Sequence, residues 1–234
     1  MRLRKIISVI LFYILIISVF LTATYWGSIA TTVIAEKIPL KRNNTIIIDA
    51  GHGGIDGGST SCTGKLESSF NLEIAATMND LFRLLGLHTK MIRTTDISIH
   101  TEGETIASQK VSDLKNRVSI VNETENGLLL SIHQNTFPDN QCSGAQVFYG
   151  AKEESKLLAE ELQTVFIQTI NAGSTRRSKP ADGVYLMQHI DKTGVLIECG
   201  FLSNPEEEAK LADESYQKKL CSVVATTVFN FLDR

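Results

Sequence analysis

Leu128-Leu129-Leu130-Ser131-Ile132 is an unbroken apolar run that ends in His133-Gln134-Asn135. A strand with one wet face alternates apolar and polar residues. This one does not, so it reads as a central strand covered on both faces. Working towards the N-terminus, Ser112–Glu123 places Leu114, Val118 and Val121 on one side of a helix, and His88–Arg93 reads as a strand. Ser68–Leu85 repeats apolar residues at helical spacing (Phe70, Ile74, Met78, Leu81, Leu85) and stops at Gly86. Thr45-Ile46-Ile47-Ile48 is a β-branched strand entering a glycine-rich turn, Gly51 to Gly58. Towards the C-terminus, Ala145–Tyr149, Val184–Met187 and Val195–Ile197 read as strands, Glu153–Ile170 as an amphipathic helix and Tyr216–Leu232 as a closing helix. Strands alternating with helices predict an α/β fold with a mainly parallel sheet, one domain over 45–234. Asp96–Lys110 is polar and patternless, which suggests a mobile loop over a site.

The first 36 residues differ in kind. Arg2, Arg4 and Lys5 precede 18 uncharged positions, Ile6 to Ala23. Eighteen residues make about 27 Å of helix, close to the hydrocarbon thickness of a bilayer. The leading positive charge puts the N-terminus in the cytoplasm and the rest outside. A cleaved signal peptide would need a small-x-small site. The best match, Val33-Ile34-Ala35, lies far past the apolar core, whereas Tyr25 and Trp26 suit an interfacial belt. Residues 1–36 are therefore expected to be a membrane anchor or signal segment, 37–44 a spacer, and the domain extracytoplasmic.

Of 234 residues, 43% are hydrophobic and 21% charged, which excludes global disorder. The net charge is −3 and the first 36 positions are positive, so the domain is acidic. Nucleic acid is excluded as a main partner, because counterion release needs clustered Lys and Arg. The one dense basic run, Arg176-Arg177-Ser178-Lys179, reads as a solvated loop. Four cysteines without a CxxC pair exclude a disulfide scaffold and a cysteine zinc cluster. Cys199 and Cys221 read as buried thiols, and Cys62 and Cys142 lie in loops where they could pair.

Open parallel sheets carry function past the carboxyl ends of their strands. There the chain places Asp49-Ala50-Gly51-His52-Gly53-Gly54, His133-Gln134-Asn135 and Glu198-Cys199-Gly200, with Glu67 opening a helix. Alone, His52 reads as a loop histidine, His133 as a hydrogen-bonded strand end, and Glu67 as a carboxylate suited to a helix dipole. Glu73 is a rival acid on the same helix. The glycine turn fits neither phosphate-binding pattern. Glu198, between Ile197 and Cys199, is expected to be buried and so to need a partner or a raised pKa. Together, two histidines and a carboxylate form the His₂Glu set of hydrolytic zinc sites, and a separate raised-pKa glutamate suits a general base.

The four motifs, in this order, resemble the zinc-dependent N-acetylmuramoyl-L-alanine amidases of the amidase-3 type: 47–54, Glu67 with Asn71-Leu72, 131–135, and Ile197-Glu198-Cys199-Gly200-Phe201-Leu202-Ser203-Asn204. The resemblance spans about residues 45–233. It implies one Zn²⁺ ligated by His52, Glu67 and His133, Glu198 as catalytic carboxylate, and a twisted, mainly parallel sheet with helices on both faces. The substrate would be peptidoglycan, cut between N-acetylmuramic acid and L-alanine. Thr175–Lys179, Gly183–Gln188 and the N-terminal segment are similar to germination-specific amidases of spore formers. There, peptide removal precedes muramic-δ-lactam formation in the cortex, on the forespore side of the envelope. Asn135 and Arg117 are candidate substrate contacts; a salt bridge on a helix face is the other use for Arg117. A protein activator is compatible with the sequence. Cys62 and Cys199 depart from the usual pattern.

Two other readings share this chain's features, a vegetative autolysin of the same chemistry and a membrane-attached peptidoglycan-binding module without activity. An autolysin often carries wall-binding modules, and a silent module would lack one of the four residues. A zinc peptidase would show HExxH, which is absent from the sequence.

Overall fold

The computed structural model describes residues 14–22 and 43–234. Residues 14–22 are helical with exposed side chains. Among the described residues no helix is long and apolar enough to cross a membrane. Most of the 1–36 segment lies outside the described residues.

Residues 43–234 form a six-stranded sheet flanked by helices. In chain order the elements are β1 (Thr45–Ala50), α1 (Glu67–Leu84), β2 (His88–Met91), α2 (Ile106–Glu123), β3 (Gly127–Asn135), β4 (Gln146–Tyr149), α3 (Glu153–Thr169), β5 (Lys179–Pro180), α4 (Tyr185–His189), β6 (Thr193–Phe201), α5 (Pro205–Ala212) and α6 (Glu214–Phe231). The strand order is β2-β1-β3-β6-β4-β5, and every pairing is parallel except β4 with β6. The expected α/β class and mainly parallel sheet are therefore present.

The apolar strands fill two cores. Ile46, Ile48, Leu128, Leu130, Ile132, Val195 and Ile197 meet Phe70, Ile74 and Met78 of α1, Leu162 and Phe166 of α3, and Val224 of α6 on one face. Ile47, Leu129 and Leu196 meet Val121 of α2 and Leu186 and Met187 of α4 on the other. Burying a Leu or Ile side chain contributes about 1.5–3 kcal/mol, so the central strands pin both layers.

Four elements differ from expectation, the first being β5, a short strand at the end of the basic run read as a solvated loop. Val184–Met187 is not a strand: it leads into the short helix α4, with Leu186 and Met187 buried and Tyr185 stacked on His189 one turn on. A four-residue apolar run cannot by itself distinguish the two states. Residues 106–110 belong to α2, which starts early because Thr105 and Ser108 cap each other reciprocally. The remaining loop is fastened to α2. Asp113 accepts from Ile99 N (2.7 Å) and Ser98, and Ser112 accepts from Thr101 N and Glu102 N at 3.1 Å. Helix α5, assigned no helix above, starts with Asn204 capping Glu206 N and Pro205 at the first position. All four cysteines are free thiols, with Cys199 and Cys221 buried.

Candidate active site

The site forms at the carboxyl ends of β1, β3 and β6. β1 leads to β2 on one side and β3 leads to β4 on the other, so the strand order reverses between β1 and β3, where open sheets of this kind form a crevice. The strands run further than the apolar residues suggest. His133 lies inside β3 and Glu198 inside β6, paired directly in the parallel register. Both side chains therefore share one face of the sheet.

Glu67, 3% exposed, opens α1 beneath them. Its Oε1 lies 3.4 Å from His52 Nε2 and 3.1 Å from His133 Nδ1. All three ligand atoms fall within 4.8 Å of one another. Ligand atoms around tetrahedral zinc, at metal distances near 2.1 Å, are about 3.4 Å apart. The three residues thus fit a metal ion in chemistry and in spacing.

Second partners hold this geometry. Asp56 Oδ2 sits 2.9 Å from His52 Nδ1, which leaves Nε2 for a ligand, and Lys110 Nζ is 2.8 Å from Asp56. Ser59 N donates to Glu67 Oε2 (3.0 Å) and Gln134 N to Oε1 (3.1 Å). Buried Asn71 ties Gly51 O to Glu67. His52 has φ 62°, the left-handed region, which is uncommon for a residue with a side chain. Arg93 fixes that turn by donating to Ala50 O (2.8 Å), Gly51 O (3.0 Å) and Ser68 O (2.8 Å). A Cβ on Gly58 would stand 2.6 Å from Glu67 Oε2, and one on Gly51 would overlap the His133 ring. Gly51→Ala should therefore weaken zinc binding roughly 10–100-fold, read by competition with a chromophoric chelator. Unchanged affinity would remove the steric argument.

Burial alone would lower the His52 imidazole, but Glu67 and Asp56 overcome it and raise its pKa to about 9. Burial would raise Glu67; hydrogen bonds from His133 and His52 reverse that and hold it below the usual carboxylate range. In metal-free protein the raised His52 stabilises the fold fully below about 6.5, and that contribution fades as pH rises through about 9. Thermal melts of metal-free protein should fall between pH 6 and 10, and more weakly in His52→Gln. Equal slopes would contradict the pairing.

Glu198 stands apart from the ligands. Burial raises its carboxyl to about 7, and among the described residues its buried Oε2 has no hydrogen-bond partner. A cavity of about 190 Å³ opens beside His52 and His133, walled by Leu114, Val184, Leu186 and Leu196.

Residues 46–230 match the Amidase_3 family, N-acetylmuramoyl-L-alanine amidase. The chain belongs to that family. It is an N-acetylmuramoyl-L-alanine amidase, a hydrolase of the cell wall. It is 37% identical over 198 residues to the germination-specific N-acetylmuramoyl-L-alanine amidase of Bacillus subtilis, covering 83% of this chain and 82% of that one. Its structure is similar to that of the CwlD amidase from Clostridioides difficile in complex with the GerS lipoprotein. The TM-score is 0.78 at 35% identity, covering 82% of this chain and 99% of that one. An N-acetylmuramoyl-L-alanine amidase from Clostridium difficile 630 matches with TM-score 0.70 at 30% identity, over 81% and 97%. Family members are generally zinc-dependent, and His52, Glu67 and His133 form a possible metal site in this amidase.

The structure brings His52, Glu67, His133 and Glu198 together and leaves half-exposed Asn135 at the end of β3. Glu73 points elsewhere, to Lys65 at 2.7 Å. Arg117 is put to a different use from substrate contact. It is 2% exposed and donates to Asp49, Asp113 (2.6 Å), Ala50 O (3.1 Å) and His52 O (2.8 Å). Its partner Asp49, read in the sequence as lying just past the first strand, sits buried inside β1.

Proposed function

We propose that His52, Glu67 and His133 hold one zinc ion and that Glu198 is the catalytic carboxylate of this amidase. The observation that supports this is a half-buried carboxylate, its buried Oε2 without a hydrogen-bond partner among the described residues, beside a compact His-Glu-His set. A bound zinc ion supplies Lewis acidity, which acidifies a water and polarises the amide carbonyl. Glu198 accepts a proton from the attacking water. A carboxyl near 7 then returns it to the departing alanine nitrogen at neutral pH. Asp56 keeps the His52 proton on Nδ1, and Asn135, at the mouth of the crevice, contacts the substrate.

The substrate we propose is peptidoglycan of the spore cortex, from which stem peptides are removed on the way to muramic-δ-lactam. The identity to a germination-specific amidase supports that role. The domain works outside the cytoplasm, attached through residues 1–36 with 37–44 as spacer. The CwlD relative was solved with a lipoprotein, which makes a protein partner reasonable here too.

Dialysis against a chelator should abolish peptide release, and one equivalent of Zn²⁺ per chain should restore it. Full activity at less than a tenth of an equivalent by elemental analysis would overturn the metal assignment.

A further inference from the structure

A cleft of about 1040 Å³ is separate from the cavity beside His52. It lies between the loop 140–144, the loop 170–176 and the start of α5, and Arg176 is on its wall. Arg176 is half-buried and built in. Its guanidinium lies 4.8 Å over the Phe201 ring, Nε donates to Ser143 O (3.1 Å), and Nη1 donates to Gln146 Oε1 (3.0 Å). Among the described residues no carboxylate pairs with it. The acids of the cleft are otherwise placed: Glu207 is buried against Gly144 N (2.7 Å) and Lys210 (3.3 Å), and Glu206 stands exposed at the rim.

The position relative to the chemistry is fixed by the sheet. Gln146, the residue that holds Arg176, pairs with Glu198 across β4 and β6. Phe201, on which Arg176 stacks, pairs with Asn135 two residues beyond His133. A row of side chains thus runs from His133 through Glu198 and Gln146 to Arg176. At about 4.8 Å per strand, the guanidinium lies on the order of 10 Å from His133, the span of about three residues of extended peptide. Two anchoring bonds leave Nη2 unused. A planar guanidinium held on an aromatic face suits bidentate capture of a carboxylate.

We infer that Arg176 is a specificity residue that receives a free carboxylate on the peptide side of the cleaved amide. This rests on the amidase activity but is tested by binding, so the two can fail separately. The full zinc-loaded chain carrying Glu198→Gln, which holds substrate without turnover, is titrated calorimetrically with two probes. One is a muramoyl tripeptide with free carboxylates, the other the same molecule with them converted to carboxamides.

A charge-assisted pair predicts roughly 10–100-fold tighter binding of the carboxylate form. Adding Arg176→Gln should remove that preference while leaving carboxamide binding unchanged, and Arg176→Lys should keep part of it. Four results would overturn the inference: no preference, a preference that survives Arg176→Gln, equal loss of both probes in Arg176→Gln, or no binding of either probe.

Discussion

Glu198→Gln should keep one zinc per chain and lose roughly 10²–10⁴-fold in kcat, the usual contribution of a positioned acid–base group. The substitution preserves shape, and the two histidines and Glu67 lie on other elements, so the metal set is untouched. What it removes is a carboxyl that burial raises to about 7 and whose buried Oε2 no other group satisfies among the described residues. Elemental analysis and single-turnover hydrolysis of a soluble muramoyl peptide separate the two effects. Wild-type turnover would remove Glu198 from the mechanism. Loss of zinc along with the rate would make it part of the metal site.

The second large effect is on stability. Arg117→Met strands Asp49, which is 1% exposed, as an unpaired buried charge. It also removes a donor from Ala50 O and His52 O, the backbone that shapes the His52 turn. Breaking one side of a buried pair costs about 3–5 kcal/mol. For a domain of this size that is roughly 6–20 °C in Tm. Burial would raise Asp49, but the Arg117 charge outweighs it and lowers the carboxyl below 3.8. The stabilisation is therefore present above about 3.8 and is lost as pH falls through the lower folded value. The Tm gap between wild type and Arg117→Met should narrow in acid. Adding Asp49→Leu should recover part of the loss. A gap below 2 °C at neutral pH, or one that does not narrow, would contradict this role.

The readable parts of the sequence were those where one residue class decides the outcome. The unbroken run 128–132 needs cover on both faces, and it became the centre of the sheet. Glu198 was notable because a carboxylate within Val195–Cys199 has few tolerable environments, and β6 holds it half-buried, paired with His133. Features that depend on pairing were less legible. Arg117 has no periodicity that marks it as the partner of Asp49, 68 positions away. Arg176 in a basic run reads as solvated until Phe201 and Gln146 are brought beside it by the sheet. Helix α4 was misread because its apolar residues are too few to show a period. The capping signals at Thr105 and Asn204 were present in the sequence. They lacked the Glu or Gln three residues on that makes the familiar signature decisive or, at Asn204, a long apolar stripe behind it.

The proposed zinc site, with Glu198 as its carboxylate, should cut the amide at the muramic acid–alanine junction. The most direct measurement is mass spectrometry of peptidoglycan digested by the full zinc-loaded chain, beside Glu198→Gln. The parent chain should yield free stem peptides with N-terminal L-alanine and peptide-less muramic acid, and the variant intact muropeptides. Release at another bond, or the same products at the same rate from Glu198→Gln, would contradict it.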